Sequence, residues 1–201
     1  FHDAFNEDGE WKVINRCWKI GIASLAFNLD ADVIIDLFRL GLFEKLARVH
    51  EINAASTVIN EVKYYIEDGR KIPILFRTEY VSTGIVHEVS ADAGEVAEIL
   101  HRLPQDKRDA LHGGELESLA VLVGRKDLVF CSCDAATIKI LPFLDLSERG
   151  VSVERLLKDS GLTQSSLEYR HKETYFKQYL GIGKEEKLDY YLSAGRGPSP
   201  A

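Results

Sequence analysis

The chain has 201 residues, 45% hydrophobic and 28% charged, the balance of a globular protein with room for one ordinary domain and an elaboration. Its net charge of −7 argues against a protein that grips nucleic acid through a broad basic surface, and no apolar run approaches the roughly 20 residues needed to cross a bilayer. Three cysteines make no disulfide framework, and no second Cys or His pair is spaced to complete a zinc site.

Residues 1–19 are polar and carry no motif; Trp11, Val13 and Ile14 would suit an edge strand or a short helix. No basic-then-apolar leader stands at the start, so a cytoplasmic location is expected. Residues 20–29 are apolar enough for a strand buried on both faces. The spacing of Val33, Ile34, Leu37, Phe38, Leu40, Phe43 and Leu46 then predicts a helix capped by Asp32 and only softened at Gly41. Asp36, one turn beyond Asp32, is expected to face solvent. A small-residue strand follows at 52–56, and Ser56 or Thr57 should cap a helix through Val58, Ile59, Val62, Tyr65 and Ile66 that Gly69 stops.

Residues 72–89 read as extended with a turn at Gly84, residues 92–103 as a helix closed by Pro104, and 105–112 as a helical turn. Gly113 and Gly114 precede an apolar helix ended by Gly124. Residues 127–132 form a buried strand that contains Cys131, and Asp134 opens the next helix. Cys131 and Cys133 read as small core residues. A helix is expected at 151–158, a polar helix at 163–181 and a disordered tail at 193–201. Strands alternating with helices predict an α/β fold around a parallel sheet.

Four acids occupy comparable places. Asp30 ends the first strand, Glu61 lies in the helix after the second, Glu115 opens a helix, and Asp134 follows the last clear strand. A parallel sheet aims such positions at one crevice outside its carboxyl edge. Four carboxylates there repel one another unless a cation sits among them, and Mg²⁺ or Mn²⁺ suits oxygen ligands better than zinc. The chemistry indicated is phosphodiester hydrolysis by metal-activated water. Plainer roles exist for each: Asp30 and Asp134 also suit helix caps, and Glu115 and Glu117 sit in a first turn that favours acids. Arg170, His171, Lys172 and Lys177, interleaved with aromatics, are read as a helix face packed on the core or on a second subunit, in preference to a nucleic-acid surface.

With these residues the sequence resembles the PIN-domain nucleases, which include VapC-type toxins. The matching segments are Asp30-Ala31-Asp32-Val33-Ile34-Ile35, Val58-Ile59-Asn60-Glu61, Gly114-Glu115-Leu116-Glu117-Ser118-Leu119-Ala120 and Ser132-Cys133-Asp134-Ala135-Ala136, over about residues 20–146. The resemblance implies a three-layer fold, a central mostly parallel sheet flanked by helices, and a metal-dependent endoribonuclease acting on RNA. It implies catalytic Asp30, Glu61, Glu115 and Asp134, with Mg²⁺ or Mn²⁺ on Asp30, Glu115 and Asp134 and accessory roles for Asp32 and Glu117. An antitoxin protein and a second copy of the chain are the further partners it suggests, and no membrane. Residues 1–19 would be an extension, 20–146 the nuclease domain and 147–192 a helical elaboration. Ala31 stands where the family favours a hydroxyl residue, and Cys133 where some relatives carry another Asp. A catalytically weakened scaffold that binds nucleic acid or protein is therefore the alternative. A phosphoryl-transfer site built on Asp30 would want a Lys at a later strand end, and none is so placed.

Overall fold

In the computed structural model of the protein, which describes residues 26–162 and 166–193, β1 (Ala26–Leu29) is buried at every position and turns directly into α1 (Ala31–Arg39). The helix stops earlier than its apolar spacing predicts. Gly41 adopts φ +64°, a left-handed conformation in which glycine is unstrained, and a separate short helix, α2 (Phe43–Ala47), follows. β2 (Ile52–Ala55), again fully buried, leads into α3 (Ser56–Glu61), which lacks the expected Ser or Thr side-chain cap.

The expected continuation of α3 to Ile66 is replaced by a hairpin. β3 (Tyr64–Glu67) pairs antiparallel with β4 (Arg70–Pro73) across Asp68 and Gly69, both at positive φ. Aromatic and β-branched residues ahead of an Asp-Gly step are hairpin chemistry, and here they override the helical spacing. A helical turn at Arg77–Val81 likewise interrupts the segment read as extended, before β5 (Val86–Val89).

α4 (Ala93–Arg102) is held by a reciprocal cap between Asp92 and Glu95 and halts ahead of Pro104. α5 (Gln105–Asp109) is a single turn and α6 (Gly113–Gly124) the apolar helix expected after it. β6 (Leu128–Cys131), buried throughout, runs into α7 (Ala135–Ile140). β7 (Gly150–Val151) then joins the sheet, so the sheet extends past residue 146 into the segment read as a helical elaboration. α8 (Val153–Asp159) follows, and α9 (Glu173–Ser193) begins later and runs further than the helix expected at 163–181. The readings for residues 1–19, for the first part of the strand expected at 20–29 (residues 20–25), for residues 163–165 and for the tail after residue 193 lie outside the described residues.

The five strands lie in the order β5-β2-β1-β6-β7, all parallel. Alternation along each strand splits the core in two. Phe27, Leu29, Val129 and Cys131 pack with α1, α2, α3 and α8, whereas Ala26, Leu128 and Phe130 pack with α4, α6, α7 and Phe176 of α9. The expected α/β architecture, a parallel sheet with helices on both faces, is therefore what the chain forms. Both Cys131 and Cys133 are buried, as expected. Among the described residues no helix is long and apolar enough to cross a membrane.

α9 closes on α7 through Gly183, where an added Cβ would lie 2.7 Å from the Cα and 2.9 Å from the carbonyl carbon of Lys139. Backbone cannot yield as a side-chain end can. Gly183→Ala is expected to destabilise by about 1–3 kcal/mol, read as a lower urea midpoint with unchanged slope. An unchanged midpoint would mean that α9 is not seated on α7.

Candidate active site

β1 is the middle strand of the sheet and pairs with β6, Leu29 opposite Cys131, and the chain order reverses between them. At such a switch point the strand ends diverge and leave a crevice at the carboxyl edge. Asp30 is the first residue beyond β1 and is 5% exposed. Its Oδ1 accepts from the Ala31 N–H at 2.8 Å, which makes Asp30, and not Asp32, the cap of α1. Its Oδ2 accepts from the Ser132 hydroxyl at 2.8 Å, and the Asp134 N–H donates to that hydroxyl oxygen at 3.1 Å.

Glu115 reaches the same crevice from the first turn of α6. Its Oε2 accepts from the His112 N–H at 2.8 Å. Beneath it, Asn28 of β1 donates to the Ser118 carbonyl at 3.3 Å, tying strand to helix. Asp134 caps α7 by accepting from the Thr137 N–H at 2.8 Å. Each of these caps uses one carboxylate oxygen, and the second oxygen of Asp30 is the one that accepts from Ser132.

Electrostatics link the three. Burial pushes the Asp30 carboxyl up to about 7, the Ser132 hydroxyl opposes this, and the neighbouring Glu115 adds to the rise. Burial also raises Glu115, with the His112 N–H opposing and Asp134 adding. Asp30, Glu61, Glu115 and Asp134 all lack a Lys, Arg or His ion-pair partner among the described residues.

Glu61, the last residue of α3, places its carboxylate against the opening turn of α6, where a Cβ added at Gly114 would lie 3.0 Å from Oε2. A helix start is favourable ground for a carboxylate. The structure therefore brings Glu61 to the helix that carries Glu115. Gly114→Ala should leave stability within about 1 kcal/mol, the gain in helix propensity offsetting the crowding, yet displace Glu61. If the crevice holds a divalent ion, Mn²⁺ affinity should fall several-fold in this variant; unchanged affinity would remove Glu61 from the site.

The accessory acids each have another partner, although Asp32 is near enough to Asp30 to add to its rise. Glu117 accepts from the Thr57 N–H at 2.8 Å, so it supplies the cap that α3 lacks from its own Ser or Thr. Asp32 is paired with Arg170 at 3.1 Å. Asp36, expected in solvent, is 4% exposed: its Oδ2 accepts from Arg170 at 2.5 Å and from His171 Nε2 at 2.7 Å, and its Oδ1 lies 3.0 Å from Arg39. Arg39 and Arg170 also pair with Glu168. The basic cluster at 170 and 171 is thus neither an outer helix face nor a free surface; it is a clamp fastening the segment before α9 onto α1. No sequence signal marks it, because its halves lie more than a hundred residues apart.

Among the described residues, Asp36, Cys133 and His171 alone bring three metal-ligating atoms within 4.8 Å of one another. Both Asp36 oxygens are already engaged by cations or His171, and burial pushes the Cys133 thiol up, away from the thiolate a soft metal requires. Hydrogen bonding accounts for this group. Among the described residues the crevice acids do not bring three ligating atoms within 4.8 Å of one another. Comparison with protein-family models, curated proteins and solved structures finds no match to the chain.

Proposed function

We propose that the chain is a metal-dependent endoribonuclease of PIN type. The observation that supports this most is the grouping of Asp30, Glu115 and Asp134 at the switch point of a parallel sheet, with no Lys, Arg or His within ion-pair distance of them among the described residues. An all-oxygen donor set of this kind fits Mg²⁺ or Mn²⁺, held by Asp30, Glu115 and Asp134. When bound, such an ion supplies Lewis-acid stabilisation of the phosphodiester and a lowered pKa for water.

The chain's own residues set the terms. Asp30 gives up its proton only as pH rises past about 7, so ion binding and activity should climb through that range. Ser132 orients Asp30 and is itself oriented by the Asp134 N–H. Glu61 closes the edge nearest the hairpin. RNA is the substrate in this reading, and a toxin role opposed by an antitoxin protein belongs to it. The alternative, a weakened scaffold that only binds, is favoured by the wide spacing of the acids and by a Cys133 buried beside the clamp.

Cleavage of a mixed RNA pool in Mg²⁺ or Mn²⁺ decides between them, with EDTA, Glu115→Gln and Asp134→Asn as controls. Cleavage that each control abolishes is the expected result. A wild type that binds RNA and never cuts it would leave the scaffold. Growth arrest on expression, relieved by Asp134→Asn, is the expected sign of a toxin.

A further inference from the structure

We infer that Thr137 is a positioning residue for the acidic crevice: its backbone N–H holds Asp134, and its hydroxyl donates to Glu115 once a divalent ion draws that carboxylate into place. One residue would thereby set how two of the three acids face the ion; this rests on the metal site of the nuclease reading.

The turn between β6 and α7 already serves one acid in this way. Ser132, two residues before Asp134, donates its hydroxyl to Asp30 at 2.8 Å and accepts from the Asp134 N–H at 3.1 Å. Thr137, three residues after Asp134 and the third of α7, donates its own N–H to Asp134 Oδ1 at 2.8 Å. A Glu or Gln at this place would reach back to the N–H of the capping residue. Thr is too short for that, and Ser132 has taken that N–H, so the Thr137 hydroxyl is left with no part in the cap.

A hydroxyl in a helix commonly turns back on the carbonyl three or four residues earlier. This one does not. Thr137 is 0% exposed, and its Oγ1 has no hydrogen-bond partner among the described residues. Beside it stands Glu115, whose carboxyl it helps to hold down against burial and the charge of Asp134. Burying a hydroxyl without a partner is costly, and Val would fill the same space without that cost, next to the equally buried Ile138 and Ile140. The hydroxyl is explained by the carboxylate beside it, which closes onto it when a cation fixes its place. The His112 N–H holds Glu115 Oε2 from the other side, and two donors leave the group one orientation, as hydrogen bonds do for ligand carboxylates in metal sites. The Ser118 hydroxyl, one turn along α6, is just as buried and unpartnered but has no such link to Asp134, which makes it the control.

The test measures Mn²⁺ affinity of the full chain by paramagnetic resonance of the free ion, with the melting temperature of the metal-free protein alongside, for wild type, Thr137→Val, Thr137→Ser and Ser118→Ala. Thr137→Val is expected to bind Mn²⁺ roughly tenfold more weakly and yet, without metal, to melt no lower than wild type. Thr137→Ser and Ser118→Ala should bind within about twofold of wild type. Thr137→Ala, which removes the hydroxyl and adds nothing, should repeat the loss if the valine variant fails to fold. Unchanged affinity without the hydroxyl, a serine variant as weak as the valine one, or an equal loss in Ser118→Ala would overturn the role of Thr137. A wild type that binds no Mn²⁺ overturns it together with the metal site beneath it. Assaying RNA cleavage in the same samples separates the two readings: a loss restored by serine in a chain that cuts no RNA keeps Thr137 and removes the nuclease, whereas unchanged affinity in a chain that cuts RNA does the reverse.

Discussion

On the proposed nuclease reading, Asp30→Asn is expected to reduce metal-dependent cleavage by roughly a thousandfold, the loss of several kcal/mol of transition-state stabilisation, and to raise the melting temperature of the metal-free protein at pH 8. The second effect follows from burial. The carboxyl titrates near 7 in the folded chain against an ordinary 3.8. Below pH 3.8 both states hold the proton and nothing is lost. Between 3.8 and about 7 the folded state keeps a proton that the unfolded chain releases, so stability falls as pH rises, and above about 7 the loss is complete at roughly 4 kcal/mol. Asn does not ionise, and its carbonyl can still accept from the Ala31 N–H while its amide faces Ser132. The gap in melting temperature should open between pH 4 and 7 and stay level above about 8. Saturating Mn²⁺ should close it by stabilising only the wild type. A variant that melts no higher than wild type at pH 8 would place Asp30 in water, and one that still cuts RNA would end its role as a ligand.

Asp36→Ala is the second large effect, and it should act on stability without touching the crevice. The substitution leaves Arg170 and Arg39 short of their shared carboxylate and strips His171, 1% exposed, of the only acceptor for its Nε2–H among the described residues. Arg39 and Arg170 stay about a third exposed and keep Glu168 and Asp32, so most of the cost falls on His171, left buried without its acceptor, and is about 1–3 kcal/mol. Guanidinium would screen the same pairs, so urea unfolding is the measurement to use. Asp36→Asn, which keeps an acceptor, should lose less. A cost below about 1 kcal/mol for the alanine variant would show that the clamp is solvated.

The strands at the centre of the sheet were legible because residues buried on both faces must be apolar throughout, and the runs ending at Leu29, Ala55 and Cys131 admit little else. The placement of Asp30, Glu115 and Asp134 at strand and helix ends was legible for the same reason: the ends of such runs are fixed points. The hairpin was not. Val62, Tyr65 and Ile66 fit a helix by spacing alone, and only the Asp68-Gly69 step argued otherwise. The solvent-facing reading of Asp36 failed, and the bond from Thr57 to Glu117 was not foreseen, because Arg170 and Thr57 belong to other elements and periodicity along one helix says nothing of what approaches it from elsewhere.

β1 pairs with β6, placing Phe27 beside Val129. The middle of the sheet is thus the chain's most distant strand pairing, and closing so large a loop is entropically slow. On a ribosome, Asp30 is made early and then waits: Glu115 beside it and Ser132, whose hydroxyl donates to it, are synthesised only after more than half of the described chain. Whatever this crevice does, a nascent chain is incapable of doing it, and the cell meets the finished surface all at once.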